Sequence, residues 1–197
     1  MSPDDRRKAI VRALVPLLGE RGGEVSTREI AEAAGIAEGT IFRVFPDKRS
    51  LMLAAADEAI NPVDGQAAFD DAMQGLETLR EKVVVSAQRV LDRMRITMSV
   101  MFAVRSHLMP ADHDHPENKR FGPPQFVIDA HAQLHRRLTG VFEQHRDELA
   151  VEPEVAALAL RSLIFGASRP ELGLTPALSA DQIADLLLSG VASRGGS

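Results

Sequence analysis

The sequence predicts an all-α protein with a small N-terminal head and a larger helical body. Three observations carry this expectation. Apolar residues recur at helical spacing along most of the chain, with no alternating strand pattern and no Asn-Gly hairpin signal. Ala is abundant and Leu, Arg and Glu recur, all good helix formers. Gly, Pro, Ser and Asp fall between the periodic segments, where helices stop and start.

The first helix is expected over 4–21, with Ile10, Ala13, Leu14, Leu17 and Leu18 as its apolar stripe. Gly22-Gly23 stops it, and Pro16 inside it should remove one hydrogen bond and bend it. Ser26-Thr27-Arg28-Glu29 is a capping box that opens a short second helix, with Ile30, Ala31 and Ala34 facing inward. Gly35 ends that helix and Ile36 plugs the turn. A third helix runs from Glu38 to Phe45. Pro46-Asp47 ends it and caps a fourth helix, 48 to about 60.

The breaker cluster Asn61-Pro62-Val63-Asp64-Gly65 sets the expected boundary, giving domains of 1–60 and 61–197. Beyond it, helices are expected at about 66–74, 76–92, 94–109, 124–149, 153–169 and 180–193, with a polar loop from Pro110 to Pro124. Pro153 suits a first helical turn, and Ser179 with Gln182 makes a further capping box.

Composition removes several functional classes. Apolar residues at 45% and charged residues at 26% are ordinary for a globular domain. With no cysteine there is no disulfide framework, thiolate metal site or cysteine nucleophile. The longest apolar stretch, 96–104, is far short of the ~20 residues of a membrane span, and the N-terminus has no apolar core of a signal peptide. A soluble cytoplasmic protein is the expectation. All eight aromatics are Phe, which disfavours stacking on single strands. No phosphate-binding Gly loop, nucleophile elbow or carboxylate pair stands out, so an enzyme is not expected. The net charge of −5 is unevenly spread: residues 1–49 hold nine Lys/Arg against eight Asp/Glu, a near-neutral head on an acidic body.

Residues 26–48 carry the most information. Two short helices joined by Ala34-Gly35-Ile36-Ala37 have the spacing of a helix-turn-helix, whose second helix enters the DNA major groove. The outer face of that helix offers Glu38, Gly39, Thr40 and Arg43, while Ile41, Val44 and Phe45 point to the core. Arg43 suits a bidentate contact to guanine.

The run from Ser26 to Leu51 resembles the DNA-binding domain of TetR-type transcriptional regulators. The resemblance rests on the capping Ser26-Thr27, the core Ile30-Ala31 with Ala34-Gly35, the start Gly39-Thr40-Ile41-Phe42, and then Phe45 with Lys48. It covers roughly 6–60; the rest is similar only in layout. It implies that Thr27, Arg28, Thr40, the Phe42 position and Lys48 lie at phosphates, with Arg43 reading a base and Glu38 and Gly39 as further base-edge candidates. Three positions depart from the family pattern. Phe42 stands where a Tyr hydroxyl usually bonds a phosphate, Ala37 where a Ser or Thr usually caps, and Gly23 where an aromatic usually packs.

In the body, Met94, Met98 and Met101 share a helix face beside Phe102, and could form a core or an adaptable apolar cavity. The resemblance implies a small effector there, with Phe126, His131 and Leu134 facing the same space and Arg105 and His107 as polar anchors. Among six histidines, His131 and His135 sit one turn apart and Asp112-His113-Asp114-His115 share a loop. They are read as structural, so no metal and no cofactor are expected. Leu158, Leu163, Ile164, Gly166, Ile183, Leu186 and Leu187 lie at helical spacings on the last two helices. The resemblance implies a homodimer through them, with two reading heads about 34–36 Å apart on a two-fold-symmetric double-stranded DNA operator.

The resulting expectation is an N-terminal three-helix helix-turn-helix DNA-binding domain with a larger C-terminal helical ligand-binding and dimerisation domain. Its function would be that of a dimeric repressor released from its operator by a small apolar molecule, with no membrane partner. The alternative is a small-molecule binding protein on the same scaffold with weakened DNA contacts.

Overall fold

The computed structural model describes residues 2–22, 24–60, 65–108, 123, 125–167 and 177–191. Its helices are α1 (Pro3–Arg21), α2 (Thr27–Ala34), α3 (Glu38–Val44), α4 (Lys48–Ile60), α5 (Gly65–Met73), α6 (Leu79–Leu108), α7 (Gln125–Glu143), α8 (Pro153–Ala167) and α9 (Ala180–Val191), with a 3-10 turn at Arg146–Glu148. Among the described residues there is no β-strand. The all-α expectation holds.

The chain forms two compact units: 1–63 with 93–127, and 64–92 with 128–197. The first unit takes in the C-terminal half of α6 as well as α1–α4.

In the first unit, α1 is the central rod and packs on α2, α3 and α4. Its inner face buries Ile10, Val11, Leu14, Val15 and Leu18, spaced by three, four and one as a helical stripe requires. Ser2 and Asp5 form a capping box at its start, which the sequence reading missed. At its end Gly22, at φ 64°, donates its N–H to the Leu18 carbonyl. The helix runs unbroken through Pro16. Ile30, Ile41, Phe45, Leu51 and Met52 close the same core, each at most 1% exposed. Burying one such side chain contributes roughly 1.5–3 kcal/mol. Val100, Ala103 and Val104 of α6 complete it, with Met101 and Phe126 packed at its edge. Two side chains of α6 reach the end of α4: Arg93 Nη2 donates to the Glu58 carbonyl at 3.2 Å, and Thr97 Oγ1 to the Ala59 carbonyl at 2.9 Å.

In the second unit, α8 packs on α9 through Ala156, Ala157, Leu160, Ile164, Ile183, Ala184 and Leu187. Arg80 of α6 bridges Asp181 and Asp185 of α9, each at 3.0 Å. The Ser179–Gln182 capping box opens α9 as expected.

Two boundaries differ from the sequence reading. The helices expected at 76–92 and 94–109 are one, because no Gly or Pro interrupts Leu79–Leu108. The helix expected to reach 149 ends at Glu143. There Arg146 clamps Glu143 and Glu152, and the 3-10 turn follows. Gly23, 61–64 and nearly all of the 110–124 loop lie outside the described residues.

Candidate nucleic-acid interface

The site is built from the α2–α3 turn outward. Ser26 is in extended conformation; its hydroxyl accepts from the Glu29 N–H while the Glu29 carboxylate takes the Ser26 N–H at 2.9 Å. These hydrogen bonds hold the Glu29 carboxyl below its ordinary pKa, with Arg21, ion-paired to it, adding to the effect. At the other end Gly35 is left-handed, φ 65° and ψ 36°, and returns its N–H to Ala31 and Glu32. An L side chain at that φ is strained, so glycine makes the sharp turn possible.

The turn delivers α3 with one side pinned and the other bare. Ile41 and Phe45 are 1% exposed, and the Arg7 guanidinium lies 4.4 Å above the Phe45 ring as a second support. Glu38, Gly39, Phe42 and Arg43 are exposed and Thr40 half-buried. Phe42 is 59% exposed, which is unusual for a ring whose burial would be favourable. Ala37 supplies no side-chain cap, as its side chain dictates. The Gly39 position has nothing within 4 Å of where a Cβ would stand, so a flat backbone patch lies open between Glu38 and Phe42.

Two features were not legible in the sequence. Thr27 and Arg28 are engaged within the chain: the Thr27 hydroxyl donates to the Glu38 carboxylate, and Arg28 Nε pairs with Glu32 at 3.0 Å. The first bond ties α2 to α3 and fixes the carboxylate. The second is an exposed i,i+4 pair, screened by solvent, which a phosphate can displace. The start of α4 carries the cap expected at Asp47. Its N–H groups are not all free for an anion, because Asp47 Oδ1 accepts from both the N–H and the hydroxyl of Ser50 at 2.6 Å. Lys48 stands exposed beside this carboxylate. Spacing alone shows none of these bonds, although Asp47 with Ser50 three residues on is a readable cap.

The other candidate residues are dispersed. Met94 and Met101 are half-buried, Met98 is 49% and Phe102 76% exposed, and Arg105 is exposed; the His107 side chain is outside the described residues. Met101 and Phe126 share the edge of the head core, so for them the core reading holds. His131 and Leu134 are half-buried and belong to the other unit. The His131 ring lies 5.3 Å from Phe165, and burial, aided by Arg161, lowers its pKa. Met98 and Phe102 are thus exposed on the surface of the first unit. Among the seven interface candidates, Ile164, Ile183 and Leu187 are buried in the α8–α9 core, and Leu163 is half-buried. Leu158, Leu186 and Gly166 are exposed, joined by Val155 at 52%. Helical spacing could not separate the two faces, because both carry apolar residues.

A short helix fixed on one side by a buried core and exposed on the other is the arrangement of a helix-turn-helix, whose second helix can enter a major groove. Residues 10–55 match the family described as bacterial regulatory proteins, tetR family. The chain is 25% identical over 190 residues to the HTH-type transcriptional repressor KstR of Rhodococcus jostii, covering 93% of this chain and 83% of that one. It is 33% identical over 76 residues to the HTH-type transcriptional regulator EthR of Mycolicibacterium smegmatis, covering 38% of this chain and 34% of that one. A transcriptional regulator from Saccharomonospora viridis, solved in complex with choline, has the same fold at 19% identity and a TM-score of 0.65, covering 97% of this chain and all of that one. The likeness to the tetR family is thus carried by the head, residues 10–55.

Proposed function

We propose that the protein is a dimeric repressor whose two α3 helices enter successive major grooves of a two-fold-symmetric operator and which a small molecule releases. The observation that carries this reading is the bare face of α3: Gly39, Phe42 and Arg43 stand exposed on a helix whose other side is fixed by Ile41 and Phe45. A rigid mount with an exposed reading edge is what groove recognition requires.

In this reading Arg43 contacts a base edge, most naturally guanine, and Glu38 and Gly39 lie against neighbouring bases. Thr27, Arg28, Thr40, Phe42 and Lys48 lie along the backbone, Arg28 exchanging Glu32 for a phosphate on binding. Val155, Leu158 and Leu186 form the apolar face that a second copy covers. Effector control is supported by the similarity to a named repressor and to a regulator solved with a small molecule. No catalytic role is assigned.

Affinity for duplex DNA as a function of salt tests the reading. Steep loss of affinity with rising salt is expected, together with preference for a specific site over random duplex. A flat salt response with no measurable binding at low salt would refute it.

A further inference from the structure

Within the first unit, α1, α4 and α6 enclose an open groove of about 550 Å³. That is within the ~300–1,000 Å³ range of small-molecule sites. Its walls are apolar along Val15, Pro16 and Ile96, and Ile96 is 41% exposed. Gly19 forms part of the floor, and nothing lies within 4 Å of where its Cβ would stand. Three arginines, Arg12, Arg93 and Arg95, line it against two glutamates, Glu20 and Glu58.

Arg93 is the unusual member. It is half-buried, and its one hydrogen bond among the described residues spends a single N–H on the Glu58 backbone carbonyl. A guanidinium has five N–H donors and stays charged, so among the described residues Arg93 keeps donors to spare for a ligand or water. Burial lowers its pKa, and the Glu58 charge only partly opposes this. An anion on Arg93 would relieve that strain on the charged form.

The bond it does make is a mechanical one. The last carbonyls of a helix have no partner inside it. Arg93 and Thr97 supply partners to Glu58 and Ala59 at the end of α4. Helix α4 in turn shares one core with Ile41 and Phe45, which hold the reading helix. A carboxylate brings a full opposite charge and can take two guanidinium N–H groups at once, which a single backbone carbonyl cannot, so an anionic ligand competes for Arg93.

We propose that this groove binds a small amphipathic monocarboxylate, its carboxylate on Arg93 and its apolar tail along Val15, Pro16 and Ile96, and that binding draws Arg93 from α4 and weakens the hold on DNA. The two glutamates in the lining disfavour a second negative charge and so select a monoanion. The regulatory half rests on the DNA-binding reading above; the binding half does not. For release to follow, the ligand must bind the DNA-incompetent arrangement more tightly than the competent one.

Calorimetry on the full chain without DNA tests the site, with decanoate as probe and decanol as its uncharged counterpart. Decanoate is expected to bind at least tenfold more tightly than decanol. Arg93→Gln should remove that preference, whereas Arg93→Lys should keep part of it. Gly19→Leu, whose Cβ meets nothing within 4 Å and whose side chain would occupy the groove, should weaken both ligands at least tenfold while melting no lower than the wild type. Equal decanoate affinity in the wild type, Arg93→Gln and Gly19→Leu would overturn the site, as would no binding by the wild type. DNA affinity is then measured with and without decanoate: a tenfold drop in the wild type, absent in Gly19→Leu, is expected. Decanoate binding that leaves DNA affinity unchanged would overturn the regulatory half. A wild type that binds decanoate but never DNA would instead refute the repressor reading and leave the site standing.

Discussion

Phe42 shows how a single side chain carries functional information that composition hides. It is one of eight phenylalanines, and only its position on α3 distinguishes it from the buried Phe45 three residues later. Helical spacing separated the two: Ile41 and Phe45 lie on one stripe and Phe42 off it. What spacing could not show is pairing between charged or polar side chains. The Thr27–Glu38 bond spans eleven residues and depends on the turn angle at Gly35. Lys48, exposed at the start of α4, is expected to contact a phosphate. Lys48→Ala should therefore weaken binding to all sequences alike and reduce the salt slope by about one. Affinity measured at several salt concentrations on specific and random duplexes checks this; a loss confined to one sequence would contradict it. Ala37 offers the opposite test. It leaves α3 without a side-chain cap, so Ala37→Ser should stabilise the protein by about 1 kcal/mol, read by denaturant unfolding.

At the scale of the element, caps and breakers were the most legible features. Ser26–Glu29, Gly35 and Ser179–Gln182 all act where the sequence places them. Reading failed where an element lacked punctuation. Arg93 offers no break, so α6 continues through the point where two helices were expected. The capping boxes also fix a pH dependence. The Glu29 carboxyl is depressed below its ordinary 4.5 by hydrogen bonds from Ser26, then by Arg21. A depressed folded pKa gives stability that is present above the unfolded value and lost as pH falls through the folded one. The advantage of wild type over Glu29→Gln in melting temperature should therefore shrink from pH 7 towards pH 3. Asp5 and Asp47 are lowered in the same sense by Ser2 and Ser50, so the wild type itself should lose stability over the same acid range. A gap that widens in acid would contradict the assignment.

For the whole molecule, the all-α architecture was legible because every long segment shares one period, and the likeness to the tetR family because most positions of the block 26–51 follow its pattern. The division of labour was less so. Apolar residues of α8 and α9 fall on both inner and outer faces, and only packing reveals that Ile164, Ile183 and Leu187 serve this chain's own core, leaving Val155, Leu158 and Leu186 outside. No described helix is long and apolar enough to cross a membrane, so this exposed face is not part of a helical membrane span. The double variant Leu158→Glu with Leu186→Glu places charges only on exposed positions. It should fold normally, sediment as a monomer and lose most of its operator affinity. A monomeric variant with wild-type affinity would remove the dimer from the account. Charge is divided unevenly, with net +1 on residues 1–49 and net −6 on residues 50–197. The acidic surplus therefore does not oppose recognition by the head.

Selection of bound duplexes from a random pool, run in parallel on the wild type and Arg43→Ala, tests the account most directly. The wild type should enrich a two-fold-symmetric site with a strong guanine preference in each half. Arg43→Ala should lose that preference at about 1–3 kcal/mol per position while keeping the half-site spacing. Enrichment of no symmetric site by the wild type, or an unchanged guanine preference in the variant, would contradict the role assigned to α3.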